Sequence, residues 1–475
     1  MDPKSYQPYR NLPPIAGICT MEEAMAPGLS VEACVARLKR YHYAFKRLHE
    51  IWNARITSEP VYELKMAYSL HSHLAAEHVS ALRKRVAEMR EPPLKLDVVP
   101  DAKLEMFFDE IRGAESTEEY LLGLYGKAVP ALRAALESHV ADTNRLVDHP
   151  SVRICRFALL ELGDIEAFGE RAVANLIDEG ERARAESWLA LLDDCLAAAG
   201  GLSGSREPKA RELEPRYSAQ PFEFPRVPVR DGRFDDPYNM GVNAEAFLYD
   251  ERFPPQPKTL MMFYKRLREI DVPEMMASII AETLDKPWDY YRDMTRQLWD
   301  EARHAIMGEV GFVNLGVDWT KVKINFTFSL ALNTQLSPLE RHAVLYFIEQ
   351  GLMPKTGKRF EWEVGVASEN PLAALFQDYD WADEVLHARI GRDWYVSQMP
   401  SVKEATGYGD KCWSRVLMNW ADYREKGLTH HANWWPAVYK EACERWGIDP
   451  DPEVLAFNTS YENTRADLKD VSVSG

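Results

Sequence analysis

The spacing of apolar residues predicts helices along most of the chain. In the first 199 residues, helical periodicity runs through four segments, at 31–53, 60–89, 118–141 and 150–199. Ser30 and Ser116 stand where side-chain oxygens cap helix starts, and Pro60 lies where proline is tolerated in a first turn. Residues 1–199 are therefore predicted to form an N-terminal helical bundle.

A stretch without periodicity follows. Residues 200–232 begin with Gly200-Gly201 and continue with repeated prolines, which is typical of a linker. Helical spacing returns near Thr259, in segments at 259–286, 287–311, 338–352, 371–398, 411–425 and 434–446, while 321–333 fits a strand or a helix equally. Residues 233–475 are thus predicted as a second all-α domain, and a duplicated bundle with a degenerate N-terminal copy is one interpretation.

Composition narrows the class of protein. A chain of 475 residues with 46% hydrophobic content is expected to form two or three domains. It contains no apolar run long enough to cross a membrane, and its formal charge of −17 disfavours nucleic-acid partners. Its six cysteines form no Cys-x-x-Cys pair, and it has no glycine-rich nucleotide fingerprint. We expect a cytoplasmic protein with reduced thiols and no nucleotide cofactor.

One motif occurs twice. Residues 300–304 and 383–387 both read Asp-Glu-x-x-His, whereas composition alone predicts such a pattern only about 0.3 times. Glu and His three residues apart lie on the same face of a helix, one turn from each other. Two such helices, each assisted by a Glu from a neighbouring helix, can hold a dinuclear metal site in a four-helix bundle. The motif therefore predicts Glu301, His304, Glu384 and His387 as metal ligands.

Helix geometry selects a candidate on the preceding helix. If Lys286-Pro287 is the turn, Glu301 lies about 21 Å beyond it along the helix axis. Glu274 lies about 18 Å before the turn, whereas Glu282 lies only about 6 Å before it. The carboxylate of Glu274 is therefore predicted to be level with that of Glu301.

The third helix leaves two candidates. A helix that starts at Ser337-Pro338 and ends near Gly351 places Glu340 level with Glu384. If helical chain resumes over residues 358–368, Glu349 is level instead. Periodicity alone does not decide between the two.

At this point the chain resembles a known superfamily. The stretch PEMMASIIAETLDKPWDYYRDMTRQLWDEARHAIMGE is similar to the first half of bacterial ferritin-like proteins, including a family of unknown function, and the likeness covers about residues 259–398. FIEQGL at 347–352 resembles the segment that supplies the third-helix Glu, and DEVLHARIGRDW at 383–394 resembles the fourth helix. The resemblance implies a ferritin-like four-helix bundle with the ligands Glu274, Glu301, His304, Glu349, Glu384 and His387.

The resemblance also implies roles for neighbouring residues. Asp300 and Asp383 are expected to accept hydrogen bonds from the outer N–H groups of the ligand histidines. Arg303 is expected to balance the carboxylates, and Leu386 takes its place in the second motif. Mixed oxygen and nitrogen ligation suits two iron ions, with manganese or a mixed iron–manganese pair as alternatives.

The expected function is a di-iron oxidase or oxygenase that uses O2 to oxidise a small organic substrate by hydroxylation, N-oxygenation or desaturation. The expected partners are that substrate and an external electron donor such as a reductase or ferredoxin. The sequence leaves open whether the protein forms a homodimer. Two alternatives are iron or peroxide handling, as in ferritin or rubrerythrin, and a non-catalytic protein whose bundle is stapled by metal. The first is disfavoured because rubredoxin-type cysteine pairs are absent from the sequence.

Two weaker groups of histidines are expected to be structural. His71, His73 and His78 share one predicted helix with Glu77, but no matching motif faces them. His430-His431 precede an aromatic helix start and are expected in a surface turn.

Overall fold

Helices are the regular elements of the computed structural model, which describes residues 6–90, 94–234, 242–324, 327–354, 357–418, 422, 425–428 and 433–459. No strand occurs in these residues, which confirms the all-α prediction. In chain order the α-helices are α1 (Met21–Met25), α2 (Val31–Ser58), α3 (Tyr62–Glu88), α4 (Ala102–Arg112), α5 (Thr117–Gly123), α6 (Val129–Asp142), α7 (His149–Leu176), α8 (Glu179–Ala198), α9 (Ala244–Leu248), α10 (Pro255–Leu267), α11 (Asp271–Glu282), α12 (Trp288–Asn314), α13 (Thr327–Gln335), α14 (Pro338–Gly351), α15 (Lys358–Ala367), α16 (Pro371–Trp394), α17 (Val402–Met418), α18 (Trp435–Trp446) and α19 (Pro452–Leu455).

The chain divides into two compact units. The first contains residues 1–52 and 71–223, and the second contains residues 53–70 and 224–475. This division differs from the predicted one, because the end of α2 and the start of α3 belong to the second unit. In the residues that the structure describes, no helix is long and apolar enough to span a membrane.

The first unit holds most of the segment that was predicted to be a linker. Glu110 on α4 is fully buried, and its carboxylate accepts hydrogen bonds from the backbone N–H groups of Arg216, Tyr217 and Ser218 at 2.8 to 3.1 Å. Trp188 on α8 donates to the same carboxylate. Residues 216–218 are thus fixed to the helices of this unit by one buried acid.

The second unit is built around α12. This helix packs against α10, α11 and α16, and α14 packs against α11, α16 and α17. A 3-10 turn, Arg268–Ile270, joins α10 directly to α11. Pro273 lacks the N–H that would bond the carbonyl of Glu269 in a regular helix, which accounts for the local change of winding. Together α10 and α11 form one wall of a four-helix arrangement whose other members are α12, α14 and α16.

Two glycines allow close helix packing in this unit. A Cβ atom on Gly308 of α12 would lie 2.3 Å from the backbone nitrogen of Leu267, and one on Gly391 of α16 would lie 2.5 Å from Cδ2 of Tyr346. Each glycine follows the histidine of an Asp-Glu-x-x-His motif by four residues. The repeat therefore extends to nine residues, Asp-Glu-x-x-His-Ala-x-x-Gly, at 300–308 and 383–391.

The segment 321–333, which fitted a strand or a helix, is irregular at residues 322–324 and helical from Thr327 onwards. Residues Trp319–Lys321 form a 3-10 turn, and α13 follows at Thr327–Gln335. The helix predicted at 411–425 begins earlier, at Val402, and the one predicted at 434–446 is α18.

Candidate metal centre

The two motif helices bring their acids and imidazoles together in the interior of the second unit. Glu301, His304, Glu384 and His387 are each at most 2% exposed. Oε1 of Glu301 lies 3.1 Å from Nδ1 of His387, and Oε2 of the same residue lies 3.7 Å from Nδ1 of His304. The carboxylate of Glu301 therefore lies between the two imidazoles.

The candidate ligand atoms in this part of the second unit form two groups. Within each group, the atoms lie within 4.8 Å of one another. Group A consists of Glu269, His304, Asp380 and Glu384. Group B consists of Glu301, Glu349, Glu384 and His387. Glu384 belongs to both groups, and Glu301 of group B also faces the imidazole of group A. The two groups of candidate ligand atoms are therefore adjacent and share one carboxylate.

The structure places the two third-helix candidates in different surroundings. Glu349 is 4% exposed and lies in group B, where Gln297 donates a hydrogen bond to it at 3.1 Å. Glu340 instead forms a capping box with Ser337 at the start of α14 and pairs with Arg415 at 2.7 Å. Helical chain does resume after α14, as α15, which is the condition under which Glu349 was expected to be level with Glu384.

Glu274 does not join the other predicted ligands. Its carboxylate accepts from Lys65 at 2.5 Å, from Arg230 at 2.8 and 3.0 Å, and from Ser329 at 2.8 Å. Burial alone would raise the pKa of Glu274, but Arg230 and Lys65 lower it to about 2. Both oxygens are thus committed to a buried charge cluster, and the structure places Glu269 in the position that was predicted for Glu274.

The error came from the position of the turn. We predicted it at Lys286-Pro287, whereas α11 already ends at Glu282 and α12 begins at Trp288. Glu269 lies thirteen residues before the end of α11, and Glu301 lies thirteen residues after the start of α12. At 1.5 Å per residue both are therefore about 20 Å from the connection.

The hydrogen bonds of the histidines are crossed between the two helices. Nε2 of His304 lies 3.1 Å from Asp383, and Nε2 of His387 lies 3.4 Å from Asp300. Each histidine thus pairs with the aspartate of the other motif. Because an ionised carboxylate only accepts hydrogen bonds, Nε2 of each histidine carries the proton. In the neutral ring, the lone pair of Nδ1 then points toward the other side chains of groups A and B.

Arg303 connects the two aspartates. Its Nη2 atom donates to Asp300 at 2.6 Å and to Asp383 at 2.7 Å. Arg296 also donates to Asp300, at 2.9 and 3.0 Å. The aspartates that hold the imidazoles are therefore held in turn by two arginines of α12.

Three further charged residues of the centre were missed by the sequence analysis. Asp380 lies four residues before Glu384 on the same helix face, a spacing that was available as a signal. Nζ of Lys358 lies 2.9 Å from both oxygens of Asp380 and 2.8 Å from Oε1 of Glu384. Arg266 contacts Asp380 and lies 2.9 Å from Oε1 of Glu269. Neither cation belongs to a motif, and tertiary packing brings both of them to Asp380 on α16.

The buried acids lie close enough together to shift the pKa values of the groups in the centre. Burial would lower the pKa of His304, but Asp383 and nearby glutamates raise it to about 10. Burial, Glu384 and Glu301 raise the pKa of Glu349 well above its usual range. Both shifts favour the protonated form of these groups, with which a metal ion would compete.

Several buried candidate ligand atoms lie 3.1 to 3.5 Å from one another but form no hydrogen bond of acceptable geometry. They are Oε2 of Glu269, Oε1 of Glu301, Nδ1 of His304, Oε2 of Glu384 and Nδ1 of His387. A buried polar atom without a partner costs free energy, and five of them in adjacent positions call for a common partner. A metal ion satisfies both imidazole nitrogens and carboxylate oxygens, so the residues fit a metal centre.

A cavity of about 560 Å³ adjoins the centre. Four of the acids in groups A and B line it, namely Glu269, Glu301, Glu349 and Glu384. Most of the remaining wall is apolar and includes Met275, Phe328, Leu332, Phe347, Leu352 and Trp413. Lys265, Arg268 and Glu245 add charge, and Arg268 pairs with Glu245 at 2.7 Å.

The histidines of the first unit have other surroundings. Nδ1 of His71 lies 2.9 Å from the hydroxyl of Tyr125, and burial lowers the pKa of His71 to about 3. His78 pairs with Glu161 at 2.6 Å. Neither they nor His73 join a metal-type group within the described residues. His430 and His431 lie outside the described residues.

Comparisons with models of protein families, with curated proteins and with solved structures each found no match. The chemistry of the centre is therefore inferred from its own side chains.

Proposed function

We propose that the protein is a dinuclear non-haem iron oxidase or oxygenase that uses O2 to oxidise a small organic substrate. In this proposal α10 with α11, α12, α14 and α16 form a ferritin-like four-helix bundle. The observation that carries the proposal is the convergence of five buried, unpartnered ligand atoms from both motif helices and from Glu269. Manganese or a mixed pair is the alternative metal content.

The residues that would hold the metals are those of groups A and B. They provide Nδ1 atoms from two histidines and carboxylates from four glutamates and one aspartate. Oxygen and imidazole ligands of this kind suit iron and manganese. When bound, two such ions supply the electrons that reduce O2, and an external reductase or ferredoxin would restore them.

The surrounding residues have separate tasks. Asp383 and Asp300 keep the Nε2 protons in place, so that the Nδ1 atoms face the centre. Gln297 orients Glu349 through its amide. These contacts fix the direction of each ligand before any metal binds, which lowers the cost of assembling the site.

The cavity supports an organic substrate over simple metal storage. Its volume lies within the range of about 300–1,000 Å³ of small-molecule sites. Its apolar wall excludes water and fits a hydrocarbon or aromatic portion of a substrate, while Arg268 and Glu245 provide a polar edge. The proposed reaction is a hydroxylation, an N-oxygenation or a desaturation, each of which consumes O2 and two external electrons per turnover in such a centre.

The experiment that tests the proposal starts from metal-free full-length protein loaded anaerobically with Fe(II). Elemental analysis should give close to two iron ions per chain, and the reduced protein should consume O2. Metal content near zero would refute the metal centre. Iron uptake and release without O2-dependent oxidation of any small molecule, or peroxide consumption alone, would favour iron or peroxide handling instead.

Matched variants locate the ligands. Glu349→Ala should remove at least one metal, whereas Glu340→Ala, on the same helix, should leave both. Glu269→Ala should likewise remove a metal, whereas Glu274→Gln should keep both, because Glu274 binds Lys65 and Arg230. Metal loss in Glu274→Gln with an intact fold would show that the placement of Glu269 is wrong.

A further inference from the structure

The two donor groups differ in the cations that already contact them. In group A, Lys358 contacts Asp380 and Glu384, and Arg266 contacts Asp380 and Glu269. Lys358 and Arg266 are at most 1% exposed, so water does not screen their charges. Group A is therefore a set of ligands that is already partly neutralised.

Among the described residues of group B, only Glu384, which group A shares, contacts a lysine or arginine. Within the described part of the chain, no lysine or arginine nitrogen lies within 4.0 Å of Glu301 or Glu349. Glu349 accepts a hydrogen bond from the neutral amide of Gln297 at 3.1 Å, and its other interacting side chain is the acid Glu384. The negative charge of group B is thus available to an incoming cation.

Glu384 shows the difference on a single side chain. Its Oε1 atom lies 2.8 Å from the ammonium of Lys358, whereas its Oε2 atom has no hydrogen-bond partner and lies 3.5 Å from Nδ1 of His387. One oxygen is free for group B. The other is held by Lys358, which also contacts Asp380 of group A.

The formal charges point the same way. Groups A and B together contain five carboxylates, Glu269, Glu301, Glu349, Asp380 and Glu384, and they contact two fixed cations, Lys358 and Arg266. The excess is three negative charges. One dication leaves a single negative charge, whereas a second makes the buried centre positive, which is unfavourable in a low-dielectric interior.

We propose that the centre binds its two metals in order and with unequal affinity: group B binds first and tightly, and group A binds second and weakly. Lys358 sets the difference, because its ammonium competes with the second metal for Asp380 and Glu384. The inference rests on the proposed dinuclear centre and adds the regulation of its second position.

The test is anaerobic calorimetric titration of the metal-free full chain with Fe(II). The wild-type protein should show two steps whose dissociation constants differ roughly tenfold or more. Lys358→Met should tighten the second step roughly tenfold, because it removes the competing charge. Lys65→Met is the matched control, since Lys65 is equally buried but pairs with Glu274, and it should leave both steps unchanged.

A second set of variants covers the case in which Lys358→Met does not fold, which circular dichroism would reveal. His387→Ala should remove the tight step and keep the weak one, and His304→Ala should do the reverse. Lys358→Arg should keep two unequal steps, because the charge is retained.

Two equal steps in the wild-type protein, or a tight step that disappears in His304→Ala, would overturn the inference. So would a folded Lys358→Met variant with an unchanged second step. These outcomes are distinct from failure of the proposed function. Two unequal steps without O2 consumption would support the inference and refute the oxidase, whereas O2-dependent oxidation with two equal steps would do the opposite.

Discussion

The two copies of the nine-residue motif, on α12 and α16, supply the same types of candidate ligand. They differ in the residues around those ligands. Both supply a Glu, a His and an Asp that bonds the histidine of the other copy. Four residues before the ligand Glu, however, α12 has Gln297 and α16 has Asp380. The neutral amide bonds Glu349, whereas the acid meets two buried cations. The repeated motif thus provides equivalent metal-binding atoms on both helices. The residues next to each motif make the charge around the two sets of atoms different.

A second difference lies one residue before each histidine. The first motif has Arg303, which bonds both aspartates, and the second has Leu386. Because Arg296 also belongs to α12, this helix provides both arginines that contact Asp300. The second motif depends on the first for the charge that balances its aspartate.

The largest effect is expected at Glu301, which lies between the histidines of the two motifs. Glu301 faces both Nδ1 atoms, so Glu301→Ala should lose nearly all bound metal. Elemental analysis after anaerobic Fe(II) loading measures the metal content of the variant. Glu309→Ala, on the same helix and outside both groups, should keep the wild-type content. A Glu301→Ala protein that still binds two metals would show that the halves are independent.

The crossed hydrogen bonds make a sharper prediction. Asn retains an acceptor but removes the charge, and loss of such a partner typically weakens metal binding about 10–100-fold. Asp383→Asn should therefore deplete the metal at His304, and Asp300→Asn the metal at His387. Anomalous diffraction at the metal edge gives the occupancy of each position. Depletion of the metal next to the histidine of the same helix would refute the crossed arrangement.

The two motif glycines should differ in stability. A Cβ at Gly308 meets the backbone of Leu267, which cannot rotate away, so Gly308→Ala should destabilise the fold by about 1–3 kcal/mol. At Gly391 the contact is the side chain of Tyr346, and the gain in helix propensity of about 1 kcal/mol should offset most of the cost. Chemical denaturation compares the two variants. An equal loss in both would show that the two helices pack alike.

Much of the fold could be predicted because helical periodicity is a local property. The repeated motif likewise gave four of the side chains that the structure brings together. Glu269 was missed because the turn was placed at Lys286-Pro287, whereas α11 already ends at Glu282. An error of a few residues in a turn moves the expected ligand by more than one helical turn.

Lys358 and Arg266 could not be predicted from the sequence. They lie on α15 and α10, on other helices than Asp380, and the spacing of three residues between Arg266 and Glu269 is common on helices and does not by itself indicate a site. Asp380 was within reach, because it shares a helix face with Glu384. Local patterns therefore identified donor atoms, while the charges that compete for them depend on packing.

The smallest effect is expected from making the first motif resemble the second. Arg303→Leu removes the hydrogen-bonded cation of Asp383, whereas Asp300 keeps Arg296 at 2.9 Å. Arg296 lies 4.0 Å from Asp383, too far for a hydrogen bond. Since the Arg303 side chain is 28% exposed, the loss should be modest, about two- to fivefold in metal affinity, or ~0.5–1 kcal/mol. It should fall on the metal at His304, because His304 bonds Asp383.

Competition with a chelator gives the affinity of this variant, and anomalous occupancy gives its position. Arg359→Leu is the matched control, because Arg359 forms an exposed pair with Glu363 on α15 and should leave both metals unchanged. A larger depletion at His387 than at His304 would contradict the assignment, since it would mean that Arg303 acts mainly through Asp300. An effect equal to that of Arg359→Leu would mean that Arg303 has no role in the centre, and that the second motif, with Leu386 in the equivalent position, needs none either.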